Sequence, residues 1–245
     1  MAAALGLGLQ PGDIAFSIGT SGTLFAVTEQ PTADASGAVA GFADATGRFL
    51  PLVCTLNAAK VTDAVARLLG VDHDQLDALA SAAPSGAGGL VLLPYLDGER
   101  TPNLPRASGT LTGLRSDTSR EQLARAAVEG VICGLLDGLD ALAATGFEPS
   151  GRCFLVGGGA RSAAYRRVLA DLLGRAVFVP VATELVALGA CVQAAAVLHG
   201  CRPGDVTASW DLGRPVVIEP NPSVDRLSVR AAYAAARATE ITRTG

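Results

Sequence analysis

The sequence predicts a single α/β domain over residues 1–245, built on a mixed sheet with helices on both faces. Three observations predict it. Two apolar runs, Ile14-Ala15-Phe16-Ser17-Ile18 and Leu24-Phe25-Ala26-Val27, flank the turn Gly19-Thr20-Ser21-Gly22-Thr23, the pattern of an antiparallel hairpin. A third run of β character, Phe49-Leu50-Pro51-Leu52-Val53-Cys54, completes a three-strand meander. From Cys153 onward, strand and helix patterns alternate as βαβα, which implies parallel strands with right-handed crossovers. Hydrophobic residues make up 49% of the chain against 17% charged, so the chain packs a core and is not disordered.

Each element has its own signal. Residues 1–9 read as the tail of a helix stopped by Gly6 and Gly8, and Gln10-Pro11-Gly12-Asp13 as a turn. The hairpin takes 14–18 and 23–28, within a phosphate-hairpin region of 13–28. From Asn57 to Leu69, apolar residues at Val61, Val65, Leu68 and Leu69 recur at helical spacing, and Gly70 closes the helix. A short helix is expected at 73–82, then a flexible linker from Pro84 to Gly89 and a buried strand at Leu90-Val91-Leu92-Leu93. The polar stretch 97–108 reads as a long ordered loop, the kind that carries function. Ser119 suits an N-cap, with Gln122 three residues on, for a long helix to Ala144 that Gly146 and Pro149 end, closing a loop-and-helix block of 90–145. Strand 153–156, helix 162–173, strand 176–180 and helix 184–199 fill a block of 153–200, and an Ala/Arg helix at 225–239 lies in the last segment, 223–241.

Composition narrows the function. A net charge of −4 argues against nucleic acid or an anionic membrane surface as a partner. No apolar stretch is long and uninterrupted enough to span a bilayer, and the start, Met1-Ala2-Ala3-Ala4, carries no basic n-region. A cytoplasmic location is therefore expected. Cys54, Cys133, Cys153, Cys191 and Cys201 are odd in number with no Cys-x-x-Cys spacing, so they read as reduced and mostly buried, and no metal site is expected. His73 and His199 read as solvated or helix-end residues.

Two glycine-rich turns carry the functional expectation. Gly19-Thr20-Ser21-Gly22-Thr23 and Gly157-Gly158-Gly159-Ala160, with Ser162 just beyond, place bare backbone N–H groups and hydroxyls at strand ends. Glycine lets the backbone approach a ligand and the amides supply donors, which is how nucleotide phosphates are cradled. Each turn taken singly is equally an ordinary hairpin or strand–helix connection. Asp97, Glu99 and Arg100 are either a salt-bridged surface loop or a feature of a domain cleft. Glu184 contacts a nucleotide edge or is a first-turn acid of its helix. Asn57 is a weak candidate N-cap near a nucleotide.

The motifs together resemble a known family. Gly109-Thr110-Leu111-Thr112-Gly113-Leu114, followed by Gln122-Leu123-Ala124-Arg125-Ala126-Ala127-Val128-Glu129, resembles the second signature of the FGGY carbohydrate kinases. Pro94-Tyr95-Leu96-Asp97-Gly98-Glu99-Arg100-Thr101-Pro102 resembles their xylulokinase branch, Gly157-Gly158-Gly159-Ala160-Arg161-Ser162 its adenosine loop, and Leu185-Val186-Ala187-Leu188-Gly189-Ala190 the alanine-rich helix closing the nucleotide site. The resemblance covers most of residues 1–200. It implies an actin-like ATPase, or ribonuclease-H-like, fold, with ATP and Mg²⁺ as cofactors. The implied reaction phosphorylates a pentulose such as D-xylulose in xylose metabolism. Thr20 and Ser21 would then donate hydrogen bonds to phosphates, and Gly158 and Gly159 would lie against the adenosine.

The departures from the family pattern matter as much. Family members are about twice this length, and their first domain supplies most of the sugar site. In the resemblance, the general-base aspartate opens the helix that continues here as Ala2-Ala3-Ala4-Leu5-Gly6, so it is expected upstream of Met1, and no catalytic residue is assigned within the chain. Asp13 falls past that helix, in a turn, and is a poor substitute. The chain thus reads as a second domain alone, with Met1 an internal methionine taken as a start. It would be inactive by itself, and either self-associates or pairs with a separately encoded N-terminal half. The alternatives are a non-catalytic nucleotide-binding or regulatory fragment, a kinase for another sugar or polyol, and an actin-like ATPase unrelated to sugars, which the Gly109–Glu129 signature disfavours.

Overall fold

The computed structural model describes residues 2–210 and 215–244. The expected hairpin forms β1 (Ile14–Ile18) and β2 (Gly22–Ala26), joined through Gly19, Thr20 and Ser21, and β3 (Leu52–Thr55) pairs antiparallel with β2. The third strand is shorter than the apolar run: Phe49 makes only an isolated bridge to Thr28. β6 (Cys153–Val156) runs parallel to β1, β7 (Val177–Val179) parallel to β6, and β8 (Val216–Ile218) antiparallel to β7. The resulting six-stranded mixed sheet has the order β3-β2-β1-β6-β7-β8. β8 has no counterpart in the sequence reading. Neither has β5 (Thr110–Thr112), which pairs with β4 (Val91–Leu93) in a small separate sheet.

Period-two alternation sorts the strand side chains between two cores. Ile14, Phe16, Ile18 and Leu24 face α4 (Arg120–Ala144), while Ala15, Phe25, Phe154 and Val156 face α1 (Ala2–Gly6) and the start of α6 (Leu185–His199). Every residue from Ala124 to Leu136 is buried, because α4 lies between the sheet, β4, and the helices α2 (Ala59–Leu69), α3 (His73–Ala82), α5 (Ala163–Leu173) and α8 (Arg226–Thr244). Its N-cap forms as expected: Ser119 accepts from Gln122 N and Gln122 reaches back to Ser119 N, a reciprocal capping box. A similar box from Asp72 and Gln75 opens α3. α1 and α6 meet at backbone contact, since a Cβ on Gly6 would stand 2.4 Å from the Leu185 carbonyl. Met1, the expected interior of the first helix, lies outside the described residues.

Three expectations are corrected. Residues 84–89 are not a flexible linker: Gly86 N donates to the buried Glu129 carboxylate at 2.9 Å, and the loop packs on the first half of α4. Cysteine burial is partial, with Cys133 and Cys153 buried but Cys191 and Cys201 exposed. A helix α7 (Pro203–Ser209) follows α6, and the last helix extends to Thr244. Among the described residues no single helix is long and apolar enough to cross a membrane; α6 and α7 together meet the length and composition test but are bent by 110°.

Candidate functional site

The parallel pairing of β1 and β6 brings the two glycine turns together. Ser17 sits opposite Val156, so both strands end at the same edge of the sheet and the turns leave it side by side. This is the carboxyl end of the parallel strands, where α/β sheets place ligands. Two cavities open there, one on each side of the sheet. The first, about 450 Å³, lies between α2 and α3 on one wall and the Gly158–Ser162 turn and Tyr165 on the other. The second, about 320 Å³, takes Ser17, Thr23, Gly157, Thr183 and Glu184 into its lining.

The expected site residues divide between these spaces. Gly158, Gly159 and Ser162 line the first cavity, and Thr23 and Gly157 the second. Thr20 and Ser21 are exposed at the turn between them, and no hydrogen bond among the described residues uses their hydroxyls or that of Thr23. Gly19 N donates back to Ser21 O at 3.0 Å, which tightens the tip. Ala160 is buried and lines neither space; its carbonyl accepts from Arg166 Nε.

The glycines play different parts. Gly157 has φ +85°, and a Cβ there would stand 2.7 Å from Ile18 O. A Cβ on Gly159 would stand 2.3 Å from Ile18 Cγ2, and one on Gly22 2.6 Å from Thr55 Oγ1. These three are required by close packing of the fold itself. Gly158 meets nothing within 4 Å, so its α-carbon faces the open first cavity.

Several residues of the cavity wall carried no signal in the sequence. Asp77 on α3 accepts the Ser162 hydroxyl and the N–H groups of Ala163 and Ala164, at 3.1 and 2.9 Å for the two amides. Tyr165 donates to Thr62 Oγ1 at 3.3 Å, and complete burial drives its phenol far above the ordinary range. Asp63, with His73 3.6 Å away, stands at the same cavity.

The other candidates resolve individually. Asn57 is not an N-cap: Ala58 occupies that position of α2, and the Asn57 amide turns into the 97–101 loop instead. Glu99 is no surface residue; only 2% exposed, it accepts from Leu56 N, Arg100 N and Asn57 Nδ2. Asp97 makes the surface ion pair, with Lys60 at 3.0 Å. Glu184 occupies the N-cap position of α6 but makes no side-chain cap bond, and its side chain lines the second cavity. Asp13 is buried and held by Gln10 N, Arg152 N and the Arg152 guanidinium, at the opposite end of β1 from the turns.

Comparison with known proteins fixes the lineage. A sequence model of the FGGY family of carbohydrate kinases, C-terminal domain, matches residues 14–198. The chain belongs to the FGGY family of carbohydrate kinases. This FGGY chain is 50% identical over 218 residues to a xylulose kinase of Streptomyces rubiginosus, covering 89% of the chain and 44% of that protein. It is 48% identical over 218 residues to a xylulose kinase of Streptomyces coelicolor, with the same coverages of 89% and 44%. The crystal structure of xylulose kinase from Bifidobacterium adolescentis superposes with a TM-score of 0.83 at 46% identity, over 96% of this chain and 46% of that one. The FGGY chain therefore spans less than half the length of these relatives.

The signature residues that announce the family have packing roles here. Arg125 Nε donates to Glu129 Oε1 at 2.7 Å, and both side chains are 6% exposed. Burial raises the Glu129 carboxyl and the Arg125 charge opposes that rise. A Cβ on Gly113 would stand 2.2 Å from Gly89 O, and one on Gly88 2.2 Å from Gln122 Nε2. The signature is thus a joint that seats the 84–92 segment on α4.

Proposed function

We propose that this chain is the nucleotide-binding half of an ATP-dependent pentulose kinase, with ATP + D-xylulose → ADP + D-xylulose 5-phosphate as the reaction of the complete enzyme. The observation that carries this reading is the placement of two donor-rich turns, about 140 residues apart in sequence, side by side at the ends of β1 and β6. This reading puts adenosine in the cavity beside Gly158 and Gly159 and the phosphates at Gly19–Thr23, where the hydroxyls of Thr20, Ser21 and Thr23 hold no hydrogen bonds among the described residues. The likeness to xylulose kinases supports the pentulose.

Mg²⁺ neutralises phosphate charge during such a transfer. The residues present fit a cation carried in on the phosphates rather than a resident cage. No cluster of three acidic, histidine or cysteine side chains exists among the described residues, while Glu184, Ser17 and Thr23 offer oxygens around the second cavity.

The base and the sugar-positioning groups belong to the remainder of the enzyme. Asp13 is committed to Arg152 and stands a full strand away from the turns. A general base is worth about 10²–10⁴ in rate, and substrate positioning roughly 7–11 kcal/mol. The chain alone should therefore bind nucleotide and phosphorylate no sugar, and association with an N-terminal half should create the activity. The same reading expects the chain in the cytoplasm. A coupled ADP-release assay with D-xylulose tests this. Turnover by the 245-residue chain at an ordinary kinase rate means that it holds its own base and sugar site, against this reading. Turnover on adding an N-terminal half, with another sugar or polyol preferred over D-xylulose, moves the assignment to another carbohydrate kinase.

A further inference from the structure

The buried carboxylate of Glu99 accepts three hydrogen bonds, and the proposed site does not use it. It reaches the connection between β3 and α2: Oε1 accepts from Leu56 N at 2.6 Å and Arg100 N at 2.7 Å, and Oε2 accepts from Asn57 Nδ2 at 2.8 Å. Asn57 is equally buried, and its Nδ2 also donates to Gly98 O at 2.7 Å. Two acceptors thereby fix the orientation of the amide and leave its Oδ1 without a partner. An orphaned buried oxygen is costly, so the orientation is being held against a penalty.

The next two residues of the same connection grip the hairpin tip. Ala58 N donates to Thr20 O at 3.2 Å and Ala59 N to Gly19 O at 2.8 Å. Leu56 and Asn57 bind Glu99, and Ala58 and Ala59 bind the turn. One four-residue segment thus links a buried carboxylate to the carbonyls of Gly19 and Thr20. With those carbonyls engaged at the start of α2, the exposed Thr20 and Ser21 hydroxyls stay on the open side.

We propose that Glu99 is a positioning residue for the phosphate-binding turn, acting through the Leu56–Ala59 connection. The proposal rests on the nucleotide reading above. It predicts that disturbing Glu99 weakens binding of the phosphate chain and spares adenosine. In Glu99→Gln an amide replaces one acceptor oxygen and faces an N–H donor, either Asn57 Nδ2 or the pair at Leu56 and Arg100.

The test compares ATP and adenosine affinities by calorimetry for the wild-type chain, Glu99→Gln and Thr101→Val, with a thermal melt as fold control. Thr101 anchors the same loop, its hydroxyl donating to Cys54 O at 2.9 Å, but its acceptor lies in β3 and not in the Leu56–Ala59 connection. The expected result is a fall of about 3- to 10-fold in the ATP-to-adenosine affinity ratio for Glu99→Gln and no change for Thr101→Val. An unchanged ratio in Glu99→Gln, or an equal fall in both variants, overturns the positioning role while leaving nucleotide binding intact. Failure of the wild type to bind ATP overturns the nucleotide reading and the positioning role with it. A variant-free arm uses hydrogen exchange on the wild-type chain. ATP, but not adenosine, should slow exchange at Ala58 and Ala59, and equal exchange with both ligands contradicts the proposal even where Glu99→Gln fails to fold.

Discussion

Asp77 of α3 closes the N-terminus of α5 through Ser162: it accepts that hydroxyl, and Ser162 in turn accepts Tyr165 N at 3.0 Å. With Ala163 N and Ala164 N also bound to Asp77, the leading donors of α5 are satisfied from within the protein. A helix N-terminus is otherwise a ready anion site. The negative charge is already in place here, so on the proposed nucleotide reading the phosphates go to the hairpin and the nucleoside to the first cavity.

Removing that carboxylate should cost stability and open an anion site. Asp77→Ala is expected to lose about 0.5–2 kcal/mol, the usual worth of a helix cap. Sulfate should then stabilise the variant more than the wild type. Urea unfolding with and without sulfate checks both, and equal midpoints for the two proteins would show that the cap contributes nothing.

The Arg125–Glu129 pair should be asymmetric to truncation. Glu129→Met leaves a buried guanidinium that cannot shed its charge and a Gly86 N–H without its acceptor; it should cost about 3–5 kcal/mol. Arg125→Met should cost less, because Glu129, already raised by burial, can take up a proton. The sign follows from the folded carboxyl lying above its unfolded value. The folded state then binds more protons, so stability is fully present below the unfolded value and falls as pH rises through the folded one. Chemical denaturation from pH 4 to 8 should show that downward slope for Arg125→Met, and a cost equal to or above that of Glu129→Met contradicts the argument.

The outward side of α6 should drive association. Val186, Val197 and Leu198 are 66, 80 and 80% exposed, and the exposed side carries no charged residue between Leu185 and Val197. Apolar faces of this kind mark contact surfaces or aggregation liabilities. Sedimentation of the purified chain should show concentration-dependent association that Val197→Glu with Leu198→Lys removes. A monomer at all concentrations, for the unsubstituted chain, would dismiss this face as an association surface.

The fold was legible where chemistry is local. The Ser119 cap, the Gly70 stop and the alternation of β1 and β2 each act over a few residues, so the sequence displays them directly. β5 and β8 were not legible because they are short and owe their form to tertiary pairing, as Val216 and Val217 do at an exposed sheet edge, whereas α7 carries a local start signal in Pro203 and Asp205. The two turns were legible as turns, but their adjacency depends on the pairing of β1 with β6, a contact between distant segments. Asp77 and Glu99 were missed as partners for the same reason: each bonds to residues about 40 to 90 positions away, and nothing beside them in the sequence marks those partners. Among the glycines, only the packing separates Gly157 and Gly159, which the fold requires, from Gly158, which it does not.

That distinction gives the most direct test of the central claim, that the cleft beside the Gly157–Ser162 turn holds a nucleoside. Since a Cβ on Gly158 meets nothing within 4 Å, Gly158→Val should fold normally and project its side chain into the cavity. Calorimetric titration with MgADP, alongside a thermal melt, is the measurement. The expected result is binding by the wild type, no detectable binding by Gly158→Val, and melting temperatures that agree. Equal ADP affinity for the two proteins, or no binding by the wild type, would contradict the assignment of this cleft to the nucleotide.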